Sequence, residues 1–231
     1  MNNFEIVGIF PTPLYVAKIE PQLTDEEIKF VHQDHLYSSR KILARHTVNS
    51  DSQAMLNFFE LKRIKEFIQS SLDNYAETVL SIENKLFPTL CWTNRTPPGA
   101  GHYSHHHSNS LVSGVFYFTP NPTPIEFFTE KTVSHTPLKL IPKKFNQYNT
   151  YTNIIHVTQG TLIIFPSYLD HSVSENIQTH DRISLSFNTW IDGAIGNLEE
   201  SSYINFNDLT LENEPPGNLD IMNQDRPNKE N

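Results

Sequence analysis

The segment Arg182-Ile-Ser-Leu-Ser-Phe-Asn-Thr-Trp190 alternates without a break. In a strand, side chains alternate with period two, so Arg182, Ser184, Ser186, Asn188 and Trp190 share one face and Ile183, Leu185 and Phe187 the other. A polar face turned to solvent would produce the same alternation. Such a face usually carries lysine and glutamate, whereas this one has an arginine, two serines, an asparagine and a tryptophan. A polar pocket inside a barrel fits that composition better. Just upstream, Gly160-Thr-Leu-Ile-Ile-Phe165 reads as an apolar strand cut by Pro166, with His171 in the loop that follows.

Working outward, further short β-rich runs fall at Thr89–Arg95, Ser113–Thr119, Ile125–Phe128 and Thr152–Val157. Proline-rich turns separate them, such as Pro97-Pro98-Gly99 and Pro120 to Pro124. Many short strands punctuated this way predict a sandwich or barrel. Helices come first. Thr24-Asp-Glu-Glu27 is a capping box, and Ile28, Val31 and His35/Leu36 continue at helical spacing. Leu61, Ile64, Ile68, Leu72, Tyr75 and Val79 form an apolar stripe that predicts a longer helix between about 51 and 81. Phe4 to Ile19 reads as one or two strands broken by Pro11 and Pro13. The expected fold class is α+β, mainly β, with the helices packed on one face of a sheet. The expected domain covers 1–195, helical over about 20–85 and β-rich over about 86–195. An acidic, Asn- and Pro-rich stretch over 196–231 is expected to be a poorly ordered tail.

Charge and cysteine content narrow the function classes. The net charge is −9, and from Gly196 onward eight acidic residues meet only two basic ones, so the body of the chain is close to balanced. That argues against coating nucleic acid or an anionic membrane. No apolar run reaches 18 residues, so no membrane span is expected. The apolar start, Phe4 to Phe10, carries Glu5 and stops at Pro11, so it is not a signal peptide. One cysteine, Cys91, excludes an internal disulfide and fits a reducing, cytoplasmic setting; it is expected to be a small buried apolar residue.

His105-His106-His107 supplies the chemistry. In an extended segment His105 and His107 point one way and His106 the other. The outer two and a distant third, His171, could hold a metal facially, leaving positions open for a bidentate co-substrate and oxygen. A solvated histidine loop is the rival reading. Arg182 offers a planar fork for a carboxylate, and Ser184 points to the same face. His102 and Tyr103 flank the histidines as substrate-facing or structural residues. His135, His156 and His180 have no partner pattern.

Four blocks carry a resemblance. Phe10-Pro-Thr-Pro-Leu-Tyr15 is one. Trp92-Thr-Asn94 is the second. The third is His105-His-His107-Ser-Asn-Ser110-Leu-Val-Ser113-Gly-Val-Phe-Tyr117. Gly160-Thr-Leu-Ile-Ile-Phe-Pro-Ser167 to His171, with Arg182-Ile-Ser-Leu-Ser-Phe-Asn188, makes the fourth. Together they resemble the small 2OG-Fe(II) oxygenase family of bacteria and tailed phages, over about Phe4 to Trp190. The resemblance implies a double-stranded β-helix, or jelly roll. It implies Fe(II) held by His105, His107 and His171, with 2-oxoglutarate and O2 as co-substrates and Arg182 on the distal carboxylate. Ser184 and Tyr117 are expected to assist there, and Asn94 to stand near the C1 end.

One departure is visible. Most of the wider superfamily has Asp or Glu where His107 stands, so this site is one negative charge short. The implied activity is hydroxylation of a substrate that the sequence does not identify, with release of succinate and CO2. The alternative is a non-catalytic metal- or ligand-binding jelly roll. The stretch Asn121–Asn153, rich in Pro, Lys, Phe and Tyr, is the expected substrate lid.

Overall fold

The computed structural model describes residues 5–38, 47–129, 141–197, 199 and 201–206. In chain order the strands are β1 (Tyr15–Lys18), β2 (Val48–Asn49), β3 (Leu86–Thr96), β4 (His102–His105), β5 (Val112–Tyr117), β6 (Ile125–Phe128), β7 (Thr152–Ile155), β8 (Thr161–Pro166), β9 (His171–Val173), β10 (Arg182–Ile191), β11 (Ala194–Ile195) and β12 (Ile204–Asn205). The helices are α1 (Asp25–Val31) and α2 (Lys62–Tyr75). None of the described helices is long and apolar enough to cross a membrane.

Helix α1 starts where the capping box places it. Thr24 Oγ1 accepts the Glu27 N–H at 3.2 Å, and Glu27 accepts the Thr24 N–H at 2.8 Å. Glu27 also pairs with Arg63 of α2 at 2.7 Å, tying the two helices together. The helix is shorter than its apolar spacing suggested. It stops at Val31, and Leu36 enters the core from a 3₁₀ turn over Asp34–Tyr37.

Helix α2 buries Ile64, Ile68, Leu72 and Tyr75, which are fully enclosed, as is Leu61 just before its first residue. The stripe fails at its last member, for Val79 is 37% exposed. Residues Ala76–Leu80 form a wider π turn, which rotates later residues off the 3.6-residue register. The N-terminal part of the expected long helix is instead two 3₁₀ turns, Met55–Asn57 and Phe59–Leu61.

Two antiparallel sheets build the β part. The larger runs β1-β8-β5-β10-β3-β2 and the smaller β4-β9-β6-β7. From β3 to β10 the chain passes between the sheets so that β8-β5-β10-β3 and β4-β9-β6-β7 form the two walls of a double-stranded β-helix. Both faces of the larger sheet are covered. Its outer face, with Phe116, Leu162, Ile164, Ile183, Leu185 and Phe187, packs in the core that includes α1 and α2. Its inner face contributes Val115, Tyr117, Ile163 and Phe165 to a second core shared with Ile125 and Phe127 of the smaller sheet.

This explains why β5 and β8 read as near-continuous apolar runs rather than alternating ones: neither face meets water. Cys91 is buried and free, and its sulfur accepts the Leu56 N–H at 3.2 Å. The expected lid stretch opens with β6 and closes with β7, which pair with each other; residues 130–140, with His135, lie outside the described residues. Contacts divide the chain into a unit Met1–Ile191 and a unit Asp192–Asn231. Within the second, β11 pairs antiparallel with β12; most of the expected tail lies outside the described residues.

Gly114 shows how closely β5 and β10 pack. A Cβ there would overlap the Phe187 ring and stand 2.9 Å from the Ile163 carbonyl oxygen. Gly114→Ala is expected to destabilise the fold by about 1–3 kcal/mol, as overpacking does. Denaturant unfolding measures this, and an unchanged midpoint would remove the packing argument.

Candidate metal centre

Strand pairing brings the three separated histidines together. β4 pairs with β9 with His105 opposite His171, and β6 places Phe127 beside His171 on its other side. His107 follows β4 and is fixed by its N–H donating to the Ser167 carbonyl at 2.9 Å. One ligand nitrogen from each of His105, His107 and His171 lies within 4.8 Å of the others. His106 points to the outside, where its Nδ1 meets Asp170 at 3.1 Å. The sequence placed His171 in a loop; it opens β9, a three-residue strand too short to register as a pattern.

Two of the three rings are fixed by backbone carbonyls. His105 Nδ1 lies 2.8 Å from the Tyr103 carbonyl and His171 Nδ1 3.0 Å from the Leu169 carbonyl. A carbonyl only accepts, so each Nδ1 carries the proton and Nε2 keeps its lone pair. Burial lowers all three pKa values: His171 to about 3 and His107 to about 4, with neighbouring histidines adding to the effect. For His105, burial is opposed by the bond to Tyr103. All three are therefore neutral near pH 7, the state a metal requires.

The opposite wall is the inner face of the larger sheet. Ser184 sits between Asn94 on β3 and Tyr117 on β5. Arg182 is 3% exposed, Ser184 1% and Tyr117 fully buried. Arg182 Nη1 donates to Ser184 Oγ at 3.3 Å, and the guanidinium lies 5.2 Å from the centre of the Tyr117 ring. Arg182 Nε and Tyr117 Oη have no hydrogen-bond partner among the described residues, and no carboxylate there pairs with Arg182. Burial raises the Tyr117 phenol to about 12 against the pull of Arg182, so it is a donor at neutral pH. Asn94 faces the same cavity, accepting from Trp92 Nε1 at 3.1 Å and donating to Ser186 Oγ at 2.9 Å. The cavity between the two walls has the three histidines, Arg182, Ser184 and Asn94 in its lining.

Besides the apolar Val115, Ile125 and Val173, four other lining residues were not assigned a role from the sequence: Thr47, Trp92, Thr96 and Ser186. Alternation outward from Asn94 along β3 would have found Trp92 and Thr96. Thr47 carries no local signal. His102 also lines the cavity, its ring 4.2 Å from that of His105. Three residues apart in a regular strand, the two would face opposite ways. A register shift between them in the β4–β9 ladder turns both to one side.

A jelly roll with three neutral imidazoles on one wall and an unpaired buried arginine on the other has the donor set of an iron/2-oxoglutarate oxygenase. The comparisons agree. Residues 90–188 match the family described as "Putative 2OG-Fe(II) oxygenase", a family of oxidoreductases. Among curated proteins none matches.

Solved structures with this fold include a Pseudomonas putida prolyl-4-hydroxylase, at 12% identity and TM-score 0.51, covering 78% of this chain and 94% of that one. The non-haem alpha-ketoglutarate-dependent carbocyclase SnoK from nogalamycin biosynthesis matches at 12% and 0.53, covering 78% and 80%. The epimerase SnoN in complex with Fe3+, alpha-ketoglutarate and nogalamycin RO matches at 9% and 0.53, covering 77% and 78%. At these identities the likeness is one of fold.

Substitution separates the outer histidines from the middle one. His106→Ala is expected to leave metal affinity nearly intact, and His107→Ala or His171→Ala to remove most of it. Calorimetric titration with Fe(II) under anaerobic conditions measures this. Greatest damage from His106→Ala would sink the assignment.

Proposed function

We propose that His105, His107 and His171 hold the iron and that Arg182, with Ser184 and Tyr117, receives the C5 carboxylate of 2-oxoglutarate. Asn94 stands toward the C1 end. The observation that carries this reading is the unpaired Arg182 guanidinium, buried in the same cavity as three neutral imidazoles. A purely structural metal site has no use for a buried carboxylate clamp. When bound, iron with 2-oxoglutarate and O2 supplies the hydroxylation of a C–H bond in the primary substrate, with succinate and CO2 as co-products.

The chain's own residues provide binding, orientation and exclusion of water. The Arg182 fork fixes the distal carboxylate in two directions, and Tyr117 Oη and Ser184 Oγ are placed to add neutral donors. The backbone carbonyls of Tyr103 and Leu169 orient two of the three ligand rings. His107 brings no charge, so the three imidazoles would hold the metal without neutralising any of its positive charge.

Arg182→Lys keeps the charge and loses the fork. It is expected to weaken 2-oxoglutarate binding by about 1.5–3 kcal/mol, the range for hydrogen bonds to charged groups. Anaerobic titration of 2-oxoglutarate into the Fe(II) protein, followed by its visible charge-transfer band, measures this. In air, succinate release is expected to require Fe(II), O2 and 2-oxoglutarate together and to vanish in His107→Ala and Arg182→Ala. Binding of 2-oxoglutarate with no succinate from any substrate pool would favour a binding module, and no binding would end the oxygenase reading.

A further inference from the structure

The blocks that carry the family resemblance contain polar residues that the proposed site leaves without a role: Ser110, Ser113, Ser167 and Asn188. The fold gathers them into one knot behind the histidines. Ser113 Oγ and Ser167 Oγ are 2.7 Å apart, and Ser167 Oγ donates to Ser110 Oγ at 2.8 Å. Ser113 Oγ also lies 3.1 Å from the Asn188 side-chain amide, and Ser110 Oγ accepts the Thr189 N–H at 3.1 Å. Ser113 and Ser167 are almost completely buried. The knot therefore joins β5, β10 and the turn between β8 and β9.

Ser167 is its junction with the metal centre. Its carbonyl accepts the His107 N–H at 2.9 Å, and its own N–H donates to the Leu111 carbonyl at 3.2 Å. Four residues further along the same turn comes His171. One residue thus touches the backbone of one ligand and leads directly to another, while its hydroxyl is held from two sides. A buried hydroxyl network of this kind has few alternative arrangements, since each rearrangement strands a polar atom away from water.

We infer that Ser167, locked by Ser110 and Ser113, is a positioning residue that fixes the separation of His107 and His171 and so sets metal affinity. The inference rests on the three-histidine reading of the site. Residues that hold ligands in place typically change metal affinity 10- to 100-fold when altered.

Cobalt(II) titration of the full-length protein, well below its melting temperature, is the test. Ser167→Ala is expected to bind Co(II) about 10-fold or more weakly and to shift its visible absorption bands, which report ligand geometry. Ser110→Ala and Ser113→Ala, each leaving Ser167 one hydroxyl partner, are expected to show smaller effects in the same direction, and they carry the test should Ser167→Ala not fold. Ile163→Val serves as a control that weakens the core without touching the knot, and its Co(II) affinity and bands are expected to match the parent's. Folded serine variants that also match the parent in affinity and bands, whatever their melting temperatures, would overturn the inference alone. A parent that binds no Co(II), or a His107→Ala protein that binds it as tightly as the parent, would overturn the three-histidine reading instead.

Discussion

Strand β10 is buried from Arg182 to Phe187, and the rest of the structure follows from that constraint. Held between β3 and β5, it must send every second side chain toward the helices and every other one toward the smaller sheet. Ile183, Leu185 and Phe187 satisfy the first demand by joining the helix-side core. Arg182, Ser184 and Ser186 face the second and form one wall of the cavity. A slip of one residue would exchange the two sets and bury the arginine among leucines and phenylalanines. The ladder that stabilises the fold is thus also what aims the polar groups.

The electrostatics of the cavity are one-sided. Burial keeps the imidazoles neutral, while the guanidinium, which remains charged, has no carboxylate partner among the described residues. Removing such an ion from water costs several kcal/mol even after relaxation. A dicarboxylate held there, as proposed, would offset that cost, and its affinity would then be coupled to the stability of the fold. With a histidine rather than a carboxylate at position 107, the three-histidine wall of the cavity carries no negative charge of its own.

Much of this was legible in the sequence where one residue type recurs with a clear period. The alternation from Arg182 to Phe187, the stripe on α2 up to Tyr75 and the Thr24 capping box appear where expected. What was missed has local physical causes. Strand β9 has three residues and β4 four, too few for a period to show against their histidines. Val79 left the predicted stripe because a π turn adds a residue that a 3.6-residue period does not count. His102 joined the cavity through a register shift, which reverses the facing rule that sequence spacing assumes. Thr47 reached the cavity from β2's neighbourhood by a long-range contact, its hydroxyl donating to the Gly101 carbonyl at 2.8 Å, and no short-range pattern encodes such an approach.

The hairpin ends formed by β6 and β7 bear on how such a protein can diversify. The two strands pair along four residues each, with β7 at the edge of its sheet, so the chain between them leaves and returns at neighbouring points. Once the ends are held together, the entropy of closing the intervening segment grows only with the logarithm of its length, and doubling it costs about 0.6 kcal/mol. Insertions and deletions there are thermodynamically cheap, while the ladders that aim the histidines and the arginine stay in register. A lineage could rewrite that segment repeatedly without rebuilding the chemistry beneath it.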